Sequence, residues 1–160
     1  QVQPRLLPAT PLVLDDYVIS HTVSPSLYLS GDFTDYFTVG EHFVTFFMAD
    51  VSGHGSSSAF ATVLLKNLFA RKRSDFLRRH DDSILSPPTM LKRANKELLG
   101  LGAGKFATMV VGLLDLEEND LHYCVAGHLP QPVLVSSEGA LYIGGEGSPV
   151  GIMDDPAFEE

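Results

Sequence analysis

The chain has 160 residues, 44% hydrophobic and only 19% charged, a balance that supports one domain with a sizeable core and excludes disorder. Eleven Lys and Arg against twenty Asp and Glu leave a net charge of −9, which argues against nucleic acid or an anionic membrane as a partner. No apolar run approaches the ~20 residues of a membrane span and no signal-peptide pattern opens the chain, so a soluble, cytoplasmic protein is expected.

The opening residues Gln1 to Pro11 carry three prolines and read as a connecting segment from an upstream sensor or receiver domain. The domain proper is expected over 12–160. A modest strand signal lies between Asp16 and Val23 at Tyr17 and Ile19, followed by a turn at Ser24-Pro25-Ser26. Gly31 to Phe37 then leads through Gly40 into Phe43 to Ala49, a run expected to form a strand buried on both faces. It stops at Asp50.

The loop Val51-Ser52-Gly53-His54-Gly55 opens a helix with Phe60, Val63, Leu64 and Leu68 as its expected buried stripe. Lys66, Arg71, Lys72, Arg73, Arg78 and Arg79 supply six of the eleven basic residues. They are placed at and beyond the helix end, where cations suit the helix dipole. A docking patch for an acidic partner is the alternative. A second helix is expected over Thr89 to Leu99, capped by Thr89, buried through Met90, Leu91, Ala94 and Leu98, and ended by Gly100 and Gly102.

Beyond Lys105 come four short β-runs: Phe106 to Leu114, Leu121 to Ala126, Pro132 to Val135 and Ala140 to Ile143, separated by polar or Gly/Pro turns. They read as antiparallel hairpins. With a pair of neighbouring helices between β-regions, the pattern points to an α+β layered sandwich rather than βαβ winding. The lone Cys124 excludes an internal disulfide and a four-cysteine zinc site. Inside the apolar run Leu121 to Ala126, it reads as a small buried hydrophobe.

Asp32 and Asp50 are the carboxylates most suited to chemistry. If the segments around Asp32 and before Asp50 pair as a hairpin, both groups meet at one point, and two like charges there call for a hard, oxygen-ligated cation. Gly53 and Gly55 would let a backbone carbonyl near Asp50 face the same cation. The plainer alternative is a turn followed by a helix cap from one of Ser56 to Ser58. A receiver-type phosphoacceptor needs a parallel sheet that the hairpins do not supply. No Ser/His/Asp or Cys/His triad is supported. His54 and His128, each beside glycine, fit structural or catalytic roles equally.

Five segments together resemble the SpoIIE-like, RsbU-like branch of the metal-dependent type 2C protein serine/threonine phosphatases. They are Ser30-Gly31-Asp32-Phe33-Thr34-Asp35-Tyr36-Phe37, Ala49-Asp50-Val51-Ser52-Gly53-His54-Gly55, Phe106-Ala107-Thr108-Met109, Ala126-Gly127-His128-Leu129-Pro130 and Gly147-Ser148-Pro149-Val150-Gly151. Their order and spacing match from about Gln3 onward, including the junction Gln3-Pro4-Arg5-Leu6-Leu7-Pro8. The resemblance implies a four-layer α-β-β-α sandwich of antiparallel sheets, with manganese or magnesium at one end. It implies Asp32, Asp50 and the Val51 carbonyl as metal ligands, and Gly31, Gly53 and His54 as the site loop. No side-chain nucleophile is implied, because in such enzymes a metal-bound water attacks phosphorus directly.

The implied substrates are phosphorylated anti-anti-sigma factors, and the implied setting is the output domain of a bacterial response regulator. A homodimer is allowed. Thr34 stands where the family often has tyrosine, and Leu129-Pro130-Gln131 replaces a more proline-rich run. No Asp-Gly dipeptide follows, and Asp154-Asp155 falls too early to replace the family's later acidic motifs. A two-metal centre would therefore be incomplete within these residues. The expectation is a domain that continues past Glu160; the alternative is a degenerate, phosphatase-like adaptor that binds a sigma factor or its regulator.

Overall fold

A computed structural model describes residues 7–24 and 31–160. The first six residues of the expected linker, and Pro25 and Ser26 of the expected turn, lie outside the described residues. The described chain is α+β, with antiparallel sheets and two helices. Strands β1 (Leu12–Leu14) and β2 (Tyr17–Ile19) form a small hairpin. Strands β3 (Asp32–Val39), β4 (Phe43–Val51), β5 (Ala107–Asp115) and β6 (Asp120–Ala126) form a sheet in that order. A last hairpin joins β7 (Val133–Ser136) to β8 (Gly139–Tyr142).

Between β4 and β5 the chain makes α1 (Ser56–Arg79), a 3₁₀ turn at Ser83–Leu85 and α2 (Pro87–Leu101). Both helices cover one face of the four-stranded sheet. Because side chains alternate along a strand, the odd positions Val39, Phe47, Ala49, Val51, Ala107, Met109 and Val111, with Cys124 and Ala126 from β6, meet Leu65, Leu68, Phe69, Met90, Leu91 and Leu98 in one core. Cys124 is a buried free thiol, as expected, and burial followed by the Glu160 charge pushes it up to about 11.

The other sheet face carries the even positions of β3, β4 and β5 and the odd positions of β6. Tyr36, Val44, Val110 and Val125 are buried there, but Met48 is 50% exposed. The expectation that Phe43 to Ala49 is buried on both faces is thereby corrected: only the helix side is fully covered. The Tyr36 hydroxyl joins this face to the N-terminal segment through the Ala9 carbonyl at 3.2 Å and His21 Nδ1 at 2.8 Å.

Of the stripe expected on helix α1, Leu68 is buried and Leu64 half-buried, but the N-terminal half turns another face inward. The buried residues of the helix are Ser58, Ala61, Thr62, Leu65, Leu68 and Phe69, while Phe60 and Val63 are exposed. Small residues, Ser58, Ala61 and Thr62, take the inward places of the first turns, so the inward stripe is set by fit rather than by the bulkiest side chains. The helix runs to Arg79, so the basic cluster lies within it rather than beyond it. Lys66 pairs with Asp35 at 3.8 Å, Lys72 reaches Asp75 and Asp81, and Arg71 holds Glu97 at 2.6 Å. Arg73 lies over the Phe37 ring.

Helix α2 begins two residues before the expected start. Pro87 and Pro88 occupy its first turn, where missing N–H groups cost nothing, and the Ser86 hydroxyl, not Thr89, caps it by accepting from the Thr89 amide. Met90, Leu91, Ala94 and Leu98 are buried as expected, and Gly102, in the left-handed region, ends the helix.

Candidate functional site

Asp32 opens β3, Asp50 is the penultimate residue of β4, and the ladder sets them directly opposite each other. Opposed residues in an antiparallel pair hold their Cβ atoms about 4.5–5.5 Å apart. Both are exposed and share the face away from the helices. The Asp32 carboxyl is raised to about 6, first by burial, then by its hydrogen bond to Asp50 and by the Asp50 charge. Two carboxylates this close keep a proton between them or take up a cation.

The backbone beside them is shaped by glycine. The Val51 amide donates to the Gly31 carbonyl at 3.2 Å. A Cβ added at Gly31 would run into the Val51 carbonyl oxygen, so glycine keeps the space at that oxygen clear. Two carboxylates and one carbonyl oxygen at one sheet end form an all-oxygen donor set, which fits hard cations such as Mg²⁺ and Mn²⁺. No group of three or more His, Cys, Asp or Glu side chains is placed to hold a metal among the described residues.

The following loop is fastened through Ser52. Its carbonyl accepts from Ser58 Oγ at 2.8 Å and from Lys105 Nζ at 3.3 Å. Its hydroxyl accepts from the Phe106 amide, and its own amide donates to the Phe106 carbonyl. Gly53 and Gly55 have φ of 78° and 85°, and a side chain on Gly53 would begin 2.6 Å from Lys105 Nζ. Gly55 is the N-cap of α1 and no side chain caps the helix. The alternative of a cap from one of Ser56 to Ser58 is therefore not met: Ser58 reaches back to the Ser52 carbonyl instead. His54 is exposed on this loop.

Of the residues singled out from sequence, Asp32, Asp50, Gly31 and Val51 converge, and Gly53 lies against Lys105. Sequence reasoning placed Thr108 in a resembling segment but gave it no role, and it missed Lys105. Thr108 is the register partner of Asp50 on β5 and bonds His128. Only the pairing of β4 with β5, across 55 intervening residues, reveals it (Val51 to Ala107 in the ladder).

The fold, an antiparallel sheet with both helices on one face, is shared with solved structures. The chain superimposes on the RsbU and RsbW domains of Rv1364c from Mycobacterium tuberculosis with a TM-score of 0.64 at 25% identity, covering 81% of this chain and 34% of that one. It matches the fold of the PP2C phosphatase domain of SpoIIE from Bacillus subtilis with a TM-score of 0.62 at 17% identity, over 82% of this chain and 36% of that one. The family model described as Stage II sporulation protein E (SpoIIE) matches residues 40–160. The chain belongs to the SpoIIE family. Among curated relatives, the phosphoserine phosphatase RsbP of Bacillus subtilis is 29% identical, over 93% of this chain and 36% of its own length. Protein IcfG of Synechocystis is 26% identical, over 99% of this chain and 28% of its length. The chain thus spans about a third of the length of these relatives.

Proposed function

We propose that residues 12–160 belong to a metal-dependent protein serine/threonine phosphatase domain of a bacterial signalling protein, with residues 1–11 linking it to an upstream sensor or receiver. The observation that carries this reading is the direct register of Asp32 with Asp50, beside a carbonyl oxygen that Gly31 leaves uncovered. Asp32, Asp50 and the Val51 carbonyl would hold the ion, and Gly53 and His54 would form the adjoining loop. Manganese or magnesium bound there supplies activation of water and neutralisation of phosphoryl oxygens. The chain's own task is to hold ligand oxygens at a fixed spacing and leave them open to a protein-borne phosphate.

The similarity to RsbP, named a phosphoserine phosphatase, and to the RsbU domain supports a phosphorylated anti-anti-sigma factor as substrate. Cytoplasmic action fits the absence, among described residues, of any helix long and apolar enough to cross a membrane. The test is manganese-dependent release of phosphate from a phosphoserine protein by the full-length protein, expected to be lost in Asp50→Asn. Undiminished turnover in that variant sinks the site assignment. Metal-independent binding of a sigma factor or its regulator without turnover would instead identify an adaptor.

A further inference from the structure

The register extends the carboxylate pair into a row. Asp32, Asp50 and Thr108 are successive cross-strand partners on β3, β4 and β5, so all three share one sheet face. The fourth place in this row is not taken by β6, which ends at Ala126. There the chain leaves the ladder, Gly127 makes a parallel bridge to Met109, and His128 Nδ1 comes to 3.0 Å from Thr108 Oγ1. The departure is fixed from two sides. Gly127 has φ 66°, and any side chain on it would begin 2.9 Å from the Pro149 ring. His128 is half-buried, with one ring nitrogen held by Thr108.

We propose that His128 is a phosphate-binding side chain of this site, with Thr108 as its positioning residue. This rests on the phosphatase reading above. In this arrangement the Thr108 hydroxyl donates to Nδ1, the imidazole proton sits on Nε2, and Nε2–H donates to a non-bridging oxygen of the substrate's phosphoryl group. A phosphate monoester brings two negative charges toward Asp32 and Asp50. An N–H donor at the far end of the row gives a phosphoryl oxygen a hydrogen-bond partner. Anchoring the other nitrogen fixes both tautomer and ring direction.

The test uses the full-length protein with manganese and a phosphoserine peptide, and inorganic phosphate as a competing ligand. In His128→Ala, KM and the phosphate inhibition constant are both expected to rise about 10- to 100-fold, the range for a hydrogen bond to a charged group, with kcat changed far less. His128→Gln, which keeps an N–H donor, recovers part of the loss. Thr108→Val weakens phosphate binding and Thr108→Ser restores it. If His128→Ala does not fold, the His128→Gln and Thr108→Val measurements decide. KM and phosphate inhibition within twofold of the parent in folded His128→Ala, or in folded His128→Gln and Thr108→Val together, overturn the proposal. Loss of activity in Asp50→Asn alongside that result leaves the phosphatase reading standing; full activity in Asp50→Asn overturns both.

Discussion

Phe47 of β4 and Phe69 of α1 stack with ring centroids 3.9 Å apart and planes 23° from parallel, both fully buried. Phe33 meets the Phe47 ring edge-on at 5.7 Å. Three residues beyond Phe47, on the same strand and the opposite face, stands Asp50. The aromatic stack thus seats the strand that carries one of the two central carboxylates.

Truncating that stack will be costly. Phe69→Ala removes a fully buried ring and leaves a cavity, with an expected loss of about 3–5 kcal/mol. Urea unfolding of the variant against the parent checks this. A loss under 1 kcal/mol would mean that α1 repacks, and that the stack does not fix its seat on β4.

Asn95 is a second buried anchor. Its side-chain amide donates to the Met153 carbonyl at 2.8 Å, and its oxygen accepts from the Gly151 amide at 2.6 Å. It thereby ties α2 to the segment that bridges β5 through Val150. Asn95→Leu is expected to destabilise by about 1–3 kcal/mol for each partner left unsatisfied. Faster amide exchange at Gly151 and Val150 is the specific readout.

The pH dependence of the metal-free protein follows from Asp32. Its folded value of about 6 lies above the ordinary 3.8, so between those values the folded chain holds a proton that the unfolded chain has released. Its contribution to stability is full below about pH 4 and declines as pH rises through 6. Melting temperatures in chelator from pH 4 to 7 will fall more steeply for the parent than for Asp32→Asn. Parallel profiles would show that the carboxyls do not share a proton.

Gly31→Ala tests the cleared space at the Val51 carbonyl. The new methyl must push that carbonyl aside, so if the proposed site takes manganese in the folded state alone, the metal should raise the melting temperature of the parent but hardly that of the variant. An equal rise in both would remove Val51 from the ligand set.

Much of this was readable from residue order. The strand that carries Asp50 next to its end, the glycine loop, the stripe of α2 and the β-runs after Lys105 all reflect local propensity and short-range spacing, and so did the hairpin that joins Asp32 to Asp50. The inward face of α1 was not readable, because Phe60 and Val63 are apolar yet exposed while Ser58 and Thr62 are buried. Burial of those two hydroxyls is met by the Ser52 and Ser58 carbonyls, which composition cannot foresee. The role of Thr108, and Lys105 itself, escaped for a related reason. Each gains its place only when β5 docks beside β4, a contact between distant parts of the chain.

The order of the four-stranded sheet has a dynamic consequence. Among the described residues β3 is laddered to β4 alone, whereas β4 lies between β3 and β5. Asp32 therefore rides on a strand that can peel away by breaking one ladder, and Asp50 on one that cannot move without disrupting two. Native-state hydrogen exchange should find β3 opening well below the free energy of global unfolding. A divalent ion shared by the two carboxylates would act as a clasp on that loose edge, slowing exchange along β3 more than anywhere else in the sheet.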